Sequence, residues 1–299
     1  IQVLNEDFRN RNPDGINVRA PFADIRGDTK VEFVLAAEDP DGNPLAEPGI
    51  TRYNSNGSNW SPADFDAQVK PVTSWDPFRF ANFWSASLSG GLLGYAQFPK
   101  NTGLPGAGIS NADPDHGDGV VMGHQFFGSR TIYPDGEYSA PFDLGRTATH
   151  EVGHWLALRH ISGDGGCGVD DFIADTPNQG SQSGGCPGDI PACNTSELVQ
   201  WENFMDYTDD RCMVMFTEEQ VERMRAAIEL SDMRDALVHS DVATVSLNDP
   251  TIIAGFNTSA SQLVCPTSGI DVSYLNTSEI LFSDETITNY HWTFEGGDI

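Results

Sequence analysis

Basic charge is what this 299-residue chain lacks most: Lys30, Lys70 and Lys100 are its only lysines, and 16 lysines and arginines face 44 aspartates and glutamates, a formal net charge of −28. Nucleic acids and anionic membrane surfaces are themselves polyanions, so neither is expected as a partner. Long hydrophobic runs are also missing, and without about 20 consecutive apolar residues no segment reads as a membrane span. The acid excess is spread along the chain rather than gathered in a tail, which suits a solvated surface in a salty or calcium-rich exterior. No CxxC pair occurs among the five cysteines. Cys167, Cys186, Cys193 and Cys212 cluster at irregular spacings and Cys265 stands apart, a pattern that favours two disulfides in an exported protein over a structural metal site. Sequence alone leaves their pairing open.

What is present is one dense stretch, His150-Glu151-Val152-Gly153-His154-Trp155-Leu156-Ala157-Leu158-Arg159-His160. On a helix, His150 and His154 lie one turn apart on the same face, so their imidazoles converge, and Glu151 beside the first is positioned to act as a base. His160 cannot reach the same point if the helix continues, so the chain must turn sharply near Ala157. Three neutral imidazoles around a zinc ion leave the fourth tetrahedral position open, the arrangement of a catalytic rather than a closed structural site.

Along the chain, Ile1, Leu4 and Phe8 share one helical face, so the sequence opens inside an amphipathic helix. Val31–Leu35 reads as a strand before the turn-rich Asp39–Pro44, and the aromatic-rich 78–87 and 92–98 read as two strands separated by Gly90-Gly91. Gly119–His124 is a further short strand, with His124 expected to line a cleft rather than bind metal. The zinc helix is expected from about Leu144 to Ala157. Residues 161–200 read as a loop too long to order itself without cross-links or ions, which the cysteines and Asp170, Asp171 and Asp175 could supply, although solvated loop charge explains the aspartates equally well. Thr217-Glu218-Glu219-Gln220 is a capping box that opens a long helix to about residue 239, with Val221, Met224, Ile228 and Leu237 on its apolar face. Beyond about 240 the composition shifts to Thr, Ser, Val and Ile in short alternating runs, the mark of a separate β module.

The zinc stretch, together with Asn203-Phe204-Met205-Asp206-Tyr207, Gly94–Pro99 and Asp175-Thr176-Pro177, resembles the pappalysin family of metzincin metalloproteases, in particular its cytophagalysin- and ulilysin-like members. The resemblance implies an α+β fold for residues 1–240: a metzincin-type zincin catalytic domain, with a twisted mixed sheet and helices above and a loop-rich, disulfide-bonded lower half. It implies zinc on His150, His154 and His160, Glu151 as general base, Met205 as a turn beneath the metal, and Tyr207 facing it. It further implies the pairs Cys167–Cys193 and Cys186–Cys212, and calcium in the same loop near Asp171, Asp175 and Thr176. Relatives carry a further strand and a propeptide upstream of the position of Ile1, so the domain is expected to be truncated at its N-terminus. Three departures from the family pattern are expected to matter: Ala157 stands where glycine or asparagine is usual, the expected truncation leaves no visible latency segment, and Arg211 stands where some relatives place an acid. Residues 241–299 are similar to a partial PKD-like β-sandwich, on the Tyr290–Gly297 pattern.

The expectation is a secreted zinc endopeptidase acting on extended polypeptides, with the substrate paired to the edge of the sheet along the strand near 119–124. The alternative is a catalytically silent binding or adhesion protein that keeps the fold as a scaffold. A scaffold has no need of Glu151.

Overall fold

The computed structural model describes residues 1–107, 117–193 and 195–242, and four short strands between 251 and 281. The chain divides into two compact units, 1–242 and 243–299.

In the first unit, α1 (Gln2–Phe8) packs on the zinc helix α4 (Arg146–Trp155). Its buried face carries Leu4 and Phe8 into the core, where the Phe8 ring meets Phe33 and Phe216 edge-on. Asp7, on the same face, is buried against Arg146 and accepts from Thr149 Oγ1 at 2.6 Å, which ties the two helices by charge as well as by packing. Val31–Leu35 is not the ladder strand expected. Its backbone lies along α1, where the Asn5 side chain accepts from Phe33 N at 2.7 Å and donates to Phe33 O at 3.0 Å. A side-chain amide thereby takes the hydrogen bonds that a neighbouring strand would make.

The sheet has three strands, β1 (Phe83–Ala86), β2 (Gly94–Ala96) and β3 (Val120–Gly123), in the order β1-β3-β2. β1 runs parallel to β3, pairing Phe83 with Val120, and β2 runs antiparallel to it, pairing Gly94 with Met122. The strand near 119–124 is therefore central and has no free edge, a correction to the expected docking strand; β2 borders the sheet instead. All four residues of β3 are buried because both of its faces are covered. Val120 and Met122 point into the main core with Val152 and Trp155 of α4, whereas Val121 points the other way, to Phe65 and Val69 of α2 (Pro62–Gln68) and its C-terminal extension. The short α3 (Lys70–Thr73) follows.

The lower half, from 161 to 209, contains no helix or ladder strand among the described residues. It is cross-linked by Cys167–Cys193 and Cys186–Cys212, with Cα separations of 5.5 and 5.9 Å. The capping box at Thr217 forms in full, with Gln220 N donating to Thr217 Oγ1 and Thr217 N to Gln220 Oε1. The helix it opens is not continuous to 239. It breaks at Ser231, whose extended backbone separates α5 (Glu218–Leu230) from α6 (Asp232–Val238). The break turns Arg234 inward to the end of the zinc helix.

In the second unit β4 (Thr251–Ile253) pairs antiparallel with β7 (Glu279–Leu281), and β5 (Phe256–Thr258) with β6 (Tyr274–Asn276). Cys265 and the Tyr290–Gly297 pattern lie outside the described residues.

Candidate metal centre

The helix α4 ends in a turn that carries the site. Ala157 has φ 75°, with Ala157 N bonded to His154 O at 2.9 Å and Leu158 N to Gly153 O at 2.9 Å. Those two bonds are a Schellman termination, which uses a left-handed residue to stop a helix and is normally given glycine. Arg223 Nε donates to Ala157 O at 2.8 Å and clamps the turn from α5. The reversal returns His160 to the face of His150 and His154.

The three Nε2 atoms stand 3.0 to 3.2 Å apart. They are not hydrogen-bonded to one another, because each ring spends its Nδ1 proton elsewhere: His150 donates to Phe204 O at 2.7 Å, His154 to Leu158 O at 2.8 Å, and His160 to the Asp164 carboxylate. Three Nε2 lone pairs therefore point at one another. A cation between them removes that repulsion, and zinc bonded to three nitrogens at about 2.0–2.1 Å in tetrahedral array would hold them roughly 3.3 Å apart. Burial, reinforced by the His160 ring, pushes the His154 imidazole down to about 3, and burial, reinforced by the other two rings, holds His150 well below its usual range as well. Neutral rings are what a metal needs. Among the described residues this is the one convergence of three or more histidine, cysteine or carboxylate ligand atoms.

Met205 is fully buried beneath α4, where a Cβ on Gly153 would collide with its Sδ. Ile161 N donates to Met205 O at 3.2 Å, which pins the segment after His160 to this floor. Tyr207 is 47% exposed, and its hydroxyl lies 3.0 Å from His160 Nε2. Burial, followed by nearby carboxylates, pushes the phenol up to about 12, so it stays a protonated donor. Glu151 is buried beside His150 under the edge strand β2; an added Cβ on Gly94 would lie 2.9 Å from its Cγ, so the glycine makes room for the carboxylate. Burial pushes Glu151 up to about 8. The Phe98 ring, just past β2, tilts over His154 at 5.4 Å.

His124 lies exposed on a 3₁₀ turn after β3, outside the histidine cluster. Asp171 is buried, accepting from Thr176 Oγ1 at 2.8 Å and Ile173 N at 3.2 Å. Asp175 caps α5, taking Thr217 Oγ1 at 2.6 Å and Glu219 N at 3.0 Å. Four residues that shape the centre were not singled out from the sequence: Asp164, Arg223, Asp118 and Asp210. Asp210 Oδ2 accepts from Leu144 N at 2.8 Å and Arg146 N at 3.2 Å, placing an acid at the start of α4. Asp118 receives Arg234 and Trp155 where α4 ends. Only Asp164, four residues past the third histidine, had a local signal in its spacing.

A short mixed sheet over a helix that carries two histidines, a third histidine after its terminal turn, a buried methionine beneath and a disulfide-bonded lower half together define a metzincin-type zincin. Residues 65–229 match the peptidase M43 family described as pregnancy-associated plasma protein-A, and the chain belongs to that family. It is 36% identical over 227 residues to an extracellular metalloprotease of Pyricularia oryzae, covering 75% of this chain and 63% of that one. To an extracellular metalloprotease of Arthroderma otae it is 34% identical over 180 residues, covering 60% and 62%. The chain thus spans less than two thirds of the length of these relatives. Mature mirolysin of Tannerella forsythia, solved in complex with a cleaved peptide, superposes with a TM-score of 0.67 at 42% identity, covering 79% of this chain and 85% of that one. The extracellular setting of the relatives bears out the expectation of an exported chain.

Proposed function

We propose that the chain is a secreted zinc endopeptidase that cleaves polypeptides held in extended form. The observation that carries this reading is the convergence of three Nε2 lone pairs beside a buried carboxylate, under the bordering strand of a sheet. His150, His154 and His160 would hold the zinc, which supplies Lewis acidity to polarise the scissile carbonyl and to acidify a water. A substrate strand would pair with the backbone of β2, which brings its scissile carbonyl across the three histidines. Glu151 would take a proton from the attacking water and deliver it to the leaving amine. Burial pushes the Glu151 carboxyl up in the metal-free chain, which favours its holding the proton between the two transfers. The Tyr207 hydroxyl would donate to the substrate oxyanion as the carbonyl becomes tetrahedral.

Calcium in the 161–200 loop belongs to the same proposal. Asp171 and Thr176 supply oxygens in contact with each other, whereas Asp175 spends one lone pair of each oxygen on the α5 cap. Residues 1–240 would form the catalytic domain, and 241–299 a PKD-like module for binding or spacing.

Mass-spectrometric mapping of cuts in a diverse peptide mixture tests the reading, with chelator and Glu151→Gln as controls. The expected result is cuts that vanish in both controls while Glu151→Gln retains one zinc per chain. A Glu151→Gln protein that cleaves at the wild-type rate would overturn the assignment of the base.

A further inference from the structure

The three histidines are not held alike. His150 and His154 are buried, and each gives its Nδ1 proton to a main-chain carbonyl of the surrounding core, Phe204 O and Leu158 O. His160 is the most exposed of the three, on the loop side of the turn, and gives its proton to a side chain, Asp164 Oδ1. From this asymmetry we infer that Asp164 is a positioning residue for the third ligand: its carboxylate fixes the tautomer and ring plane of His160 so that Nε2 meets the metal. The inference rests on the zinc reading above.

The loop is shaped to deliver that carboxylate. Gly163 N closes a turn on His160 O at 2.8 Å, and Gly163 and Asp164 both take left-handed backbone, at φ 63° and 62°. Such a conformation suits glycine and is tolerated by aspartate better than by most residues. It folds the chain back so that the Asp164 side chain reaches the imidazole four residues earlier. Arg159 steadies the turn, donating from Nη2 to Gly163 O at 2.8 Å with the same nitrogen 4.0 Å from Asp164 Oδ2. Ser162 Oγ lies 3.4 Å from Asp164 N. A carboxylate behind a metal-bound imidazole raises the basicity of the ring as well as orienting it, and removal of such a partner typically lowers metal affinity by about 10–100-fold. With half of its side chain in solvent, Asp164 makes no packing contribution comparable to that of the two carbonyls, so its effect should appear in metal binding rather than in folding.

The test is competition for zinc between a chromophoric chelator and the full chain, as wild type, His160→Ala, Asp164→Ala and Asp164→Asn. Wild type is expected to bind one zinc that His160→Ala loses. Asp164→Ala is expected to bind about 10–100-fold more weakly, with the thermal midpoint of the metal-free chain unchanged. Asp164→Asn, which keeps an oxygen acceptor, is expected to recover part of that loss. If wild type binds no zinc the reading of the centre fails; if it does and Asp164→Ala binds within twofold of it, only the present inference fails. Asp164→Asn no better than Asp164→Ala would overturn the hydrogen bond as the cause. Should the alanine variant not fold, the isosteric asparagine variant still decides. In protein labelled with ¹⁵N-histidine, the His160 Nδ1–H resonance should move upfield in Asp164→Asn while those of His150 and His154 stay. An unmoved His160 signal would overturn the assignment.

Discussion

Asp118 and Arg234 form an ion pair inside the first unit, and breaking it should be among the costliest single changes in the chain. The Arg234 side chain is 1% exposed, and its two terminal nitrogens donate to Asp118 Oδ2 and Oδ1 at 2.7 and 2.8 Å. Its Nε donates to Trp155 O at 3.1 Å, and its guanidinium carbon lies 3.7 Å from the centre of the Trp155 ring. Trp155 Nε1 in turn donates to Asp118 Oδ2 at 3.1 Å. The cluster therefore fastens α6 and the segment before β3 to the last residue of the zinc helix, immediately before the turn at Ala157. Asp118→Leu strands a buried guanidinium and an indole N–H, and Arg234→Met strands a buried carboxylate. Removing one partner of such a pair costs about 3–5 kcal/mol, a large share of the ~5–15 kcal/mol by which a domain is stable. Apolar replacement of both partners leaves no orphaned charge, so the double variant should lose about as much as one single variant or less, with a coupling of about 3 kcal/mol or more. Urea unfolding of the four proteins, zinc-loaded and with disulfides intact, measures the cycle. Single losses below about 1 kcal/mol, or losses that add to within about 0.5 kcal/mol, would refute the reasoning.

Two further outcomes follow from the turn and the loop. Ala157→Gly should be close to neutral: relief of left-handed strain is worth about 1–2 kcal/mol, against ~0.8 kcal/mol for the lost methyl and about 0.5–1 kcal/mol for glycine's freedom in the unfolded chain. The methyl is buried against Ala107, Ala227 and Leu104, and a gain in unfolding free energy above about 1.5 kcal/mol would show that this packing contributes nothing. Asp171 is pushed by burial up to about 7, above its unfolded value. Its native form therefore holds the proton longer than the unfolded chain does, and the contribution present below about pH 4 is lost as pH rises through 7. In the presence of chelator, Asp171→Asn should lose less thermal stability than wild type between pH 5 and pH 8, and with the chelator removed added calcium should stabilise wild type but not the variant. Equal pH slopes for the two proteins would remove burial of this carboxylate as the cause.

The zinc stretch was legible because its chemistry is local. His150 and His154 share a face through helical periodicity alone, the need for a turn before His160 follows from helix geometry, and the capping box at Thr217 is a four-residue pattern whose bonds the structure makes. The resemblance set Met205 and Tyr207 beside the three histidines and paired the cysteines as the structure does, which no spacing could.

What only the tertiary structure decided involves partners distant in sequence. Val31–Leu35 has a strand's composition, yet the Asn5 amide, 28 residues before Phe33, takes the hydrogen bonds that would have made it one. Gly119–His124 was recognisable as a strand, but its central place depends on β1 and β2 pairing from opposite sides, and hydrophobicity does not say which strand borders a sheet. The apolar face from Val221 to Leu237 is one pattern, yet the helix breaks at Ser231, and Arg234 beyond the break meets Asp118, 116 residues away. By itself the sequence determined which three imidazoles converge, since helical periodicity and one turn place them within eleven residues. How those rings are supported depended on the fold, because the buried charges around them, Asp118, Asp210 and Arg223, are stable only where long-range packing supplies a partner.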